Sequence, residues 1–168
     1  MAHGNPSEKD KIQTLRKILN DTKTAFMVTR SIDGGMDGRP MATVQLDETF
    51  DTIWFPTDRN SGKVRELAAD SEVCLGYTNA TGSEWASVYG RGRLVEDRAK
   101  IRELWSPIWK TWFDSPDDPN LALIAVIPES AEYWDSGSSV LQMLKFAVTA
   151  VTGKSFSEGE NAHVNLSH

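Results

Sequence analysis

From Thr24 to Val95 the chain is a succession of short β-branched or alternating segments punctuated by turn residues, and one brief stretch of helical spacing interrupts it. Ala25-Phe26-Met27-Val28-Thr29 and Pro40-Met41-Ala42-Thr43-Val44-Gln45-Leu46 flank Asp33-Gly34-Gly35, which predicts a hairpin. A third strand is expected at 52–57, a short helix at 63–69, a fourth strand at 73–77 and a long fifth at 84–95. Before this block, Ile12, Leu15, Ile18 and Leu19 recur at helical spacing behind an N-cap at Ser7, so a helix is expected over 7–22. After it, Asp97 caps a pattern carrying Ile101, Leu104, Trp105, Ile108, Trp109 and Trp112, which Pro107 restarts as a second helix. A sixth strand follows at 121–127 and an amphipathic helix at 140–151. This order lacks the βαβ alternation of a doubly wound sheet, and an α+β, mainly β antiparallel barrel with flanking helices fits it better.

With 168 residues, the chain buries about 70% of its unfolded surface on folding, which is enough for one compact domain. The domain is expected over 11–153, with 1–10 as an N-terminal extension and 154–168 as a polar, frayed tail. The net charge of −6 with no basic run argues against nucleic acid. No apolar run approaches a membrane span, and the N-terminus lacks a signal-peptide core. The single cysteine, Cys74, rules out an internal disulfide, and a reducing, cytoplasmic compartment fits best. His3, His163 and His168 lie near the termini, which leaves neither a His-based metal site nor a Ser-His triad for the core. Gly90-Arg91-Gly92 lacks the third glycine of a dinucleotide fingerprint and reads as a bulge or a close backbone approach.

Two segments carry chemistry. In Trp54-Phe55-Pro56-Thr57-Asp58-Arg59-Asn60-Ser61-Gly62-Lys63 a strand ends just before a helix begins. The N–H groups of that helix start, the Thr57 and Ser61 hydroxyls and the Lys63 ammonium together form a phosphate seat. Read alone, the same residues are better described as a plain N-cap and a solvated lysine. In Gly38-Arg39-Pro40-Met41-Ala42-Thr43, alternation puts Arg39, Met41 and Thr43 on one strand face, where they can offer a cation, an apolar wall and a hydroxyl in turn. Arg39 starting a surface strand and Met41 lying in the core is the plainer alternative.

These segments, with Tyr89-Gly90-Arg91-Gly92, Glu96-Asp97, the Trp105–Trp112 stretch, Asp117-Asp118-Pro119 and Glu132-Tyr133-Trp134-Asp135, resemble the flavin-binding split-barrel proteins related to pyridoxamine 5′-phosphate oxidase, and within them the general stress protein 26 group. The resemblance runs from about Lys11 to Gly153 and implies a six-stranded antiparallel split β-barrel, a homodimer, and FMN or FAD at the dimer interface. It implies that Arg39, Ser61 and Lys63 hold the flavin phosphate. Met41, Thr43, Phe55, Pro56 and Thr57 then flank the ribityl chain and isoalloxazine, and Trp134 reaches in from the partner chain. The implied activity is a flavin-dependent oxidoreductase acting with NAD(P)H or a small redox substrate. A non-catalytic, flavin-sequestering stress protein and a reductase using the deazaflavin F420 are the alternatives. Two departures make oxidation of pyridoxamine phosphate doubtful: Gly62 stands where the oxidases place an arginine, and the C-terminal Arg-His substrate motif has no counterpart. No residue identifies itself as a catalytic acid or base.

Overall fold

A computed structural model describes residues 6–44, 46, 49–79, 83–135 and 160–166. Helix α1, Glu8–Thr22, starts at a capping box in which the Ser7 hydroxyl accepts from the Asp10 N–H (3.2 Å) and the Asp10 carboxylate accepts from the Ser7 N–H (3.1 Å). Its Leu15, Ile18 and Leu19 enter the main core, and Lys23 ends the helix in the left-handed conformation, φ 58°.

Strands β1 (Thr24–Arg30) and β2 (Met36–Ala42) form the expected hairpin, closed where the Ser31 N–H donates to the Gly35 carbonyl (2.9 Å) and Gly34 takes φ +93°. Strand β3 (Ile53–Asp58) leads into helix α2 (Gly62–Ala69), and strands β4 (Glu72–Asn79) and β5 (Glu84–Val95) follow. Next come helix α3 (Arg98–Leu104), a short 3-10 helix at Pro107–Thr111, strand β6 (Leu121–Asp135) and strand β7 (Glu160–Asn165). The described strands form one antiparallel sheet in the order β2-β1-β4-β5-β6-β3, with β7 added beside β6.

The sheet curls without closing. Its end strands β2 and β3 approach where the Val44 N–H donates to the Trp54 carbonyl (2.9 Å), just past the end of β2. This is the α+β split-barrel architecture expected from the sequence.

The run Leu121-Ala122-Leu123-Ile124-Ala125-Val126 is continuously apolar because both faces of β6 are covered. Ile124 and Val126 join the main core with Met27, Leu75, Val88, Phe55 and Tyr133. Leu121 and Leu123 instead join Ile101, Trp109 and Phe113 in a second cluster under α3 and the 3-10 helix. Midway along the β5–β6 pairing, the register shifts between Tyr89 and Gly90, and a Cβ on Gly90 would stand 2.2 Å from the Ile127 carbonyl oxygen. The glycine there permits close backbone approach, as its sequence context suggested.

Three differences from the expected elements have simple causes. Pro107 restarts the chain as a single 3-10 helix and not an α-helix. Strand β6 runs on past Pro128 to Asp135, because the alternating burial of Ala131 and Tyr133 continues the pattern. The polar tail contributes β7, whose Ala162 and Val164 are buried while His163 between them is exposed. The sheet therefore has a seventh strand beside the expected six. The helix expected at 140–151 lies outside the described residues. No helix among the described residues is long and apolar enough to cross a membrane.

Candidate functional site

A cleft of about 710 Å³ opens between the sheet's end strands β2 and β3, the first turn of α2, and the exit of the 3-10 helix. Pro40, Met41 and Ala42 line it from β2, Pro56, Thr57 and Asp58 from β3, Lys63 from α2, and Thr111, Trp112 and Phe113 from the fourth side. Its volume is ordinary for a small-molecule site, and the lining mixes apolar walls with a few polar groups.

The polar end has a local origin. Strand β3 ends at Asp58, whose backbone carbonyl accepts from the Ser61 N–H (3.1 Å) and whose carboxylate accepts from the Asn60 N–H (2.7 Å). This tight turn starts α2 directly at the end of the strand. Ser61 occupies the N-cap position, yet its hydroxyl caps no N–H and instead lies 3.3 Å from the Thr57 hydroxyl. The first N–H groups of α2 and its positive dipole end are thus offered beside Thr57. Burial pushes the Lys63 ammonium below the ordinary lysine range, and the Arg39 charge pushes it in the same direction.

Arg39 lies behind this seat. Its guanidinium donates to the Thr29 hydroxyl and, at 2.8 Å, to the Glu66 carboxylate. Thr29 also donates to Glu66 (2.6 Å), so one carboxylate oxygen joins β1, β2 and α2. Thr29 and Glu66 are buried. Burial pushes the Glu66 carboxyl up, but the hydrogen bonds from Thr29 and Arg39 outweigh it and the net shift is downward. Glu66 lies one helical turn after Lys63, where its negative charge offsets the mutual repulsion of the two cations.

Of the nine residues singled out in the sequence, Met41, Pro56, Thr57 and Lys63 line the cleft, and Ser61 adjoins it through Thr57. Arg39 backs the cleft but is tied to Thr29 and Glu66. Thr43 faces a separate depression of about 340 Å³ with Leu19, Asn20 and Lys23, and its hydroxyl lies 3.2 Å from that of Tyr77. Phe55 is fully buried in the main core. Trp134 is far away within one chain: Thr57 pairs with Ala122, and Trp134 lies twelve residues further along β6, a path of roughly 40 Å.

Pro40, Ala42, Asp58, Thr111, Trp112 and Phe113 also line the cleft, although their place in the sequence does not single them out. Strand alternation hid Pro40 and Ala42, because an end strand can be approached from its free edge as well as from its faces. Asp58 lies inside the Trp54–Lys63 segment, where a strand-ending turn residue carries no signal of a site. Helical spacing puts Trp105, Trp109 and Trp112 in one pattern after Asp97, whereas Trp109 is buried and Trp112 is exposed.

Comparison with known proteins follows the same outline. The family model described as pyridoxamine 5′-phosphate oxidase like matches residues 10–157. The chain is similar to the protein bli-3 of Neurospora crassa, with 30% identity over 155 residues covering 86% of this chain and 74% of that one. Among solved structures it resembles a Jannaschia sp. CCS1 protein described under general stress protein 26, at TM-score 0.77 and 22% identity, covering 95% of this chain and 99% of that one. It also resembles the general stress FMN/FAD binding protein of Xanthomonas citri, at TM-score 0.67 and 26% identity, covering 76% of this chain and 89% of that one.

Proposed function

The chain belongs to the pyridoxamine 5′-phosphate oxidase-like family, and from that premise we propose that its cleft binds FMN, or FAD as the related ligand, in a flavin-dependent oxidoreductase. The observation that carries this reading is the composition of the cleft: a partly buried ammonium and a helix start at one place, with Met41, Pro40, Pro56 and Phe113 as apolar walls. An anion and a flat apolar ring are the two halves of a flavin nucleotide, and the donor set fits both. The description of the Xanthomonas citri neighbour as FMN/FAD binding supports the same ligand.

In this reading Lys63, the first N–H groups of α2 and the Ser61 and Thr57 hydroxyls hold the phosphate. Arg39 uses two of its five N–H donors on Thr29 and Glu66 and keeps the rest for the phosphate from behind. When bound, the flavin supplies two-electron chemistry, accepting hydride from a reduced nicotinamide or a small substrate. The chain supplies position and charge.

A homodimer is part of the proposal. The outer sheet face exposes Phe26, Trp85 and Trp134, with Trp85 and Trp134 paired across β5 and β6, an apolar surface suited to a second copy. Pairing through it is the route by which Trp134 of one copy reaches the cleft of the other.

A second reading, flavin binding without turnover, draws on the cleft's ionisable groups. Among the described residues, those lining it are Asp58 and Lys63, and the phosphate takes Lys63. The deciding experiment loads the purified protein with FMN and adds NADH or NADPH under anaerobic conditions. Bleaching of the flavin absorbance supports the oxidoreductase, and retention of the full oxidised spectrum supports sequestration. Failure to quench FMN fluorescence on titration, with F420 binding in its place, would overturn both.

A further inference from the structure

Trp112 is the largest apolar side chain on the cleft wall, and it is 59% exposed. Its neighbours are fixed. Trp109 is buried against Trp105 in an edge-on contact, with ring centroids 5.7 Å apart and planes at 82°. Phe113 is buried in the same cluster, and the N–H groups of Trp112 and Phe113 both donate to the Trp109 carbonyl at 2.9 Å.

The loop beyond is tied down as well. Arg98 on α3 donates to the carbonyls of Asp118 (2.9 Å) and Pro116 (3.3 Å), Arg102 pairs with Asp117, and the Asp114 N–H donates to the Asp118 carboxylate (3.1 Å). The indole is therefore carried on an anchored backbone while its own surface stays open to the cleft. Because its backbone is already ordered, docking a flat ring against Trp112 costs little further conformational entropy.

Resting on the flavin reading above, we infer that Trp112 is a ring-binding residue of the cleft: its indole packs against the flat face of the bound isoalloxazine while Lys63 and the start of α2 take the phosphate. The two ends of the ligand are then read by different elements. The phosphate is read by the β3–α2 turn, and the ring by the 3-10 helix exit together with Met41 and Pro56. Stacking recognises a planar heteroaromatic ring without regard to its phosphate, so the inference makes a specific demand. Loss of Trp112 must weaken riboflavin and FMN alike.

The test uses the full chain and the variants Trp112→Ala, Trp112→Phe and Lys63→Ala, each titrated with FMN and with riboflavin while flavin emission is followed. Trp112→Ala is expected to lose about five- to a hundred-fold in affinity for both ligands, the range found when an aromatic stacking partner is truncated. Trp112→Phe keeps a stacking surface, so its affinity stays within about three-fold. Its bound flavin becomes brighter, because a contacting indole quenches flavin emission and a phenyl ring does not. Lys63→Ala loses FMN and keeps riboflavin.

Unchanged affinity of Trp112→Ala for both ligands overturns the inference and leaves the flavin reading standing. Weakening that comes with a shift from dimer to monomer in sedimentation also overturns it, by making Trp112 a subunit contact. A wild-type chain that binds neither FMN nor riboflavin overturns the flavin reading itself and this inference with it.

Discussion

Replacing Glu66 with alanine removes the one carboxylate that holds Thr29 and Arg39 together across β1, β2 and α2. Thr29 is fully buried, so its hydroxyl is left without an acceptor, and the Arg39 side chain, 21% exposed, loses its counter-charge. Breaking a buried pair by deleting one partner costs about 3–5 kcal/mol. Partial access of water to Arg39 places this case near the lower end, at about 3 kcal/mol. In a chain of this size that is a drop of roughly 6–12 °C in Tm.

Urea denaturation of the ligand-free protein at pH 7 and one fixed concentration reads the free energy directly. Glu66→Gln keeps an acceptor oxygen and should cost about 1 kcal/mol, the scale of one weakened hydrogen bond. The pH dependence has a definite sign. The folded Glu66 carboxyl titrates below its ordinary 4.5, so its contribution is present above that value and lost as pH falls through the lower folded one. The stability gap between wild type and Glu66→Gln should therefore close in acid. A cost below about 1 kcal/mol for Glu66→Ala would refute the argument. So would strict additivity of Glu66→Ala with Arg39→Met, because residues in direct contact must couple.

Lys63→Ala should weaken FMN binding about ten- to a hundred-fold, the scale of one charge-assisted contact, and change riboflavin binding far less, both measured by fluorescence titration. Because burial, followed by the Arg39 charge, holds the Lys63 pKa below the ordinary value, FMN affinity should fall as pH rises through that lowered value. Lys63→Arg should keep its affinity into the alkaline range, which titration at stepped pH would reveal. Gly90→Ala places a Cβ 2.2 Å from a backbone oxygen and should cost about 3 kcal/mol or more in urea melts. Gly38→Ala meets only the Phe26 ring, at 2.4 Å; a side chain can yield where a backbone oxygen cannot, so this variant should be the milder of the two.

Most of the fold was legible because local signals agreed with the global arrangement. Asp33-Gly34-Gly35 between two alternating segments could hardly form anything but a hairpin turn, and Ser7 with Asp10 announced the start of α1. The site was legible where chemistry and chain order coincide, in the few residues from Thr57 to Lys63. It was opaque where spatial neighbours come from distant segments. Nothing in the spelling of Glu66 says that it meets Thr29 and Arg39, since that contact exists only once α2 packs on the hairpin. Phe55 shares its strand with three cleft-lining residues, Pro56, Thr57 and Asp58, but turns inward to fill the core. The division between buried Trp109 and exposed Trp112 depends on the 3-10 winding after Pro107, which a helical-wheel count does not anticipate.

The pairing of β6 with β7 bears on how chains of this kind can diversify. Asp135 and Glu160 face each other in register, so the 24 intervening residues begin and end at neighbouring points, about 5 Å apart. For any flexible connection between two such points, the closure entropy grows only logarithmically with length, at about 0.6 kcal/mol for each doubling. A flexible connection of about six residues and one four times as long would differ by only about 1.2 kcal/mol in that term. Strand β3 meets the other half of β6, at Leu121–Val126, so the cleft side of the sheet is anchored separately from these strand ends. In a chain built this way, the strand pairing that anchors the candidate cleft does not depend on the length of whatever joins those two strands.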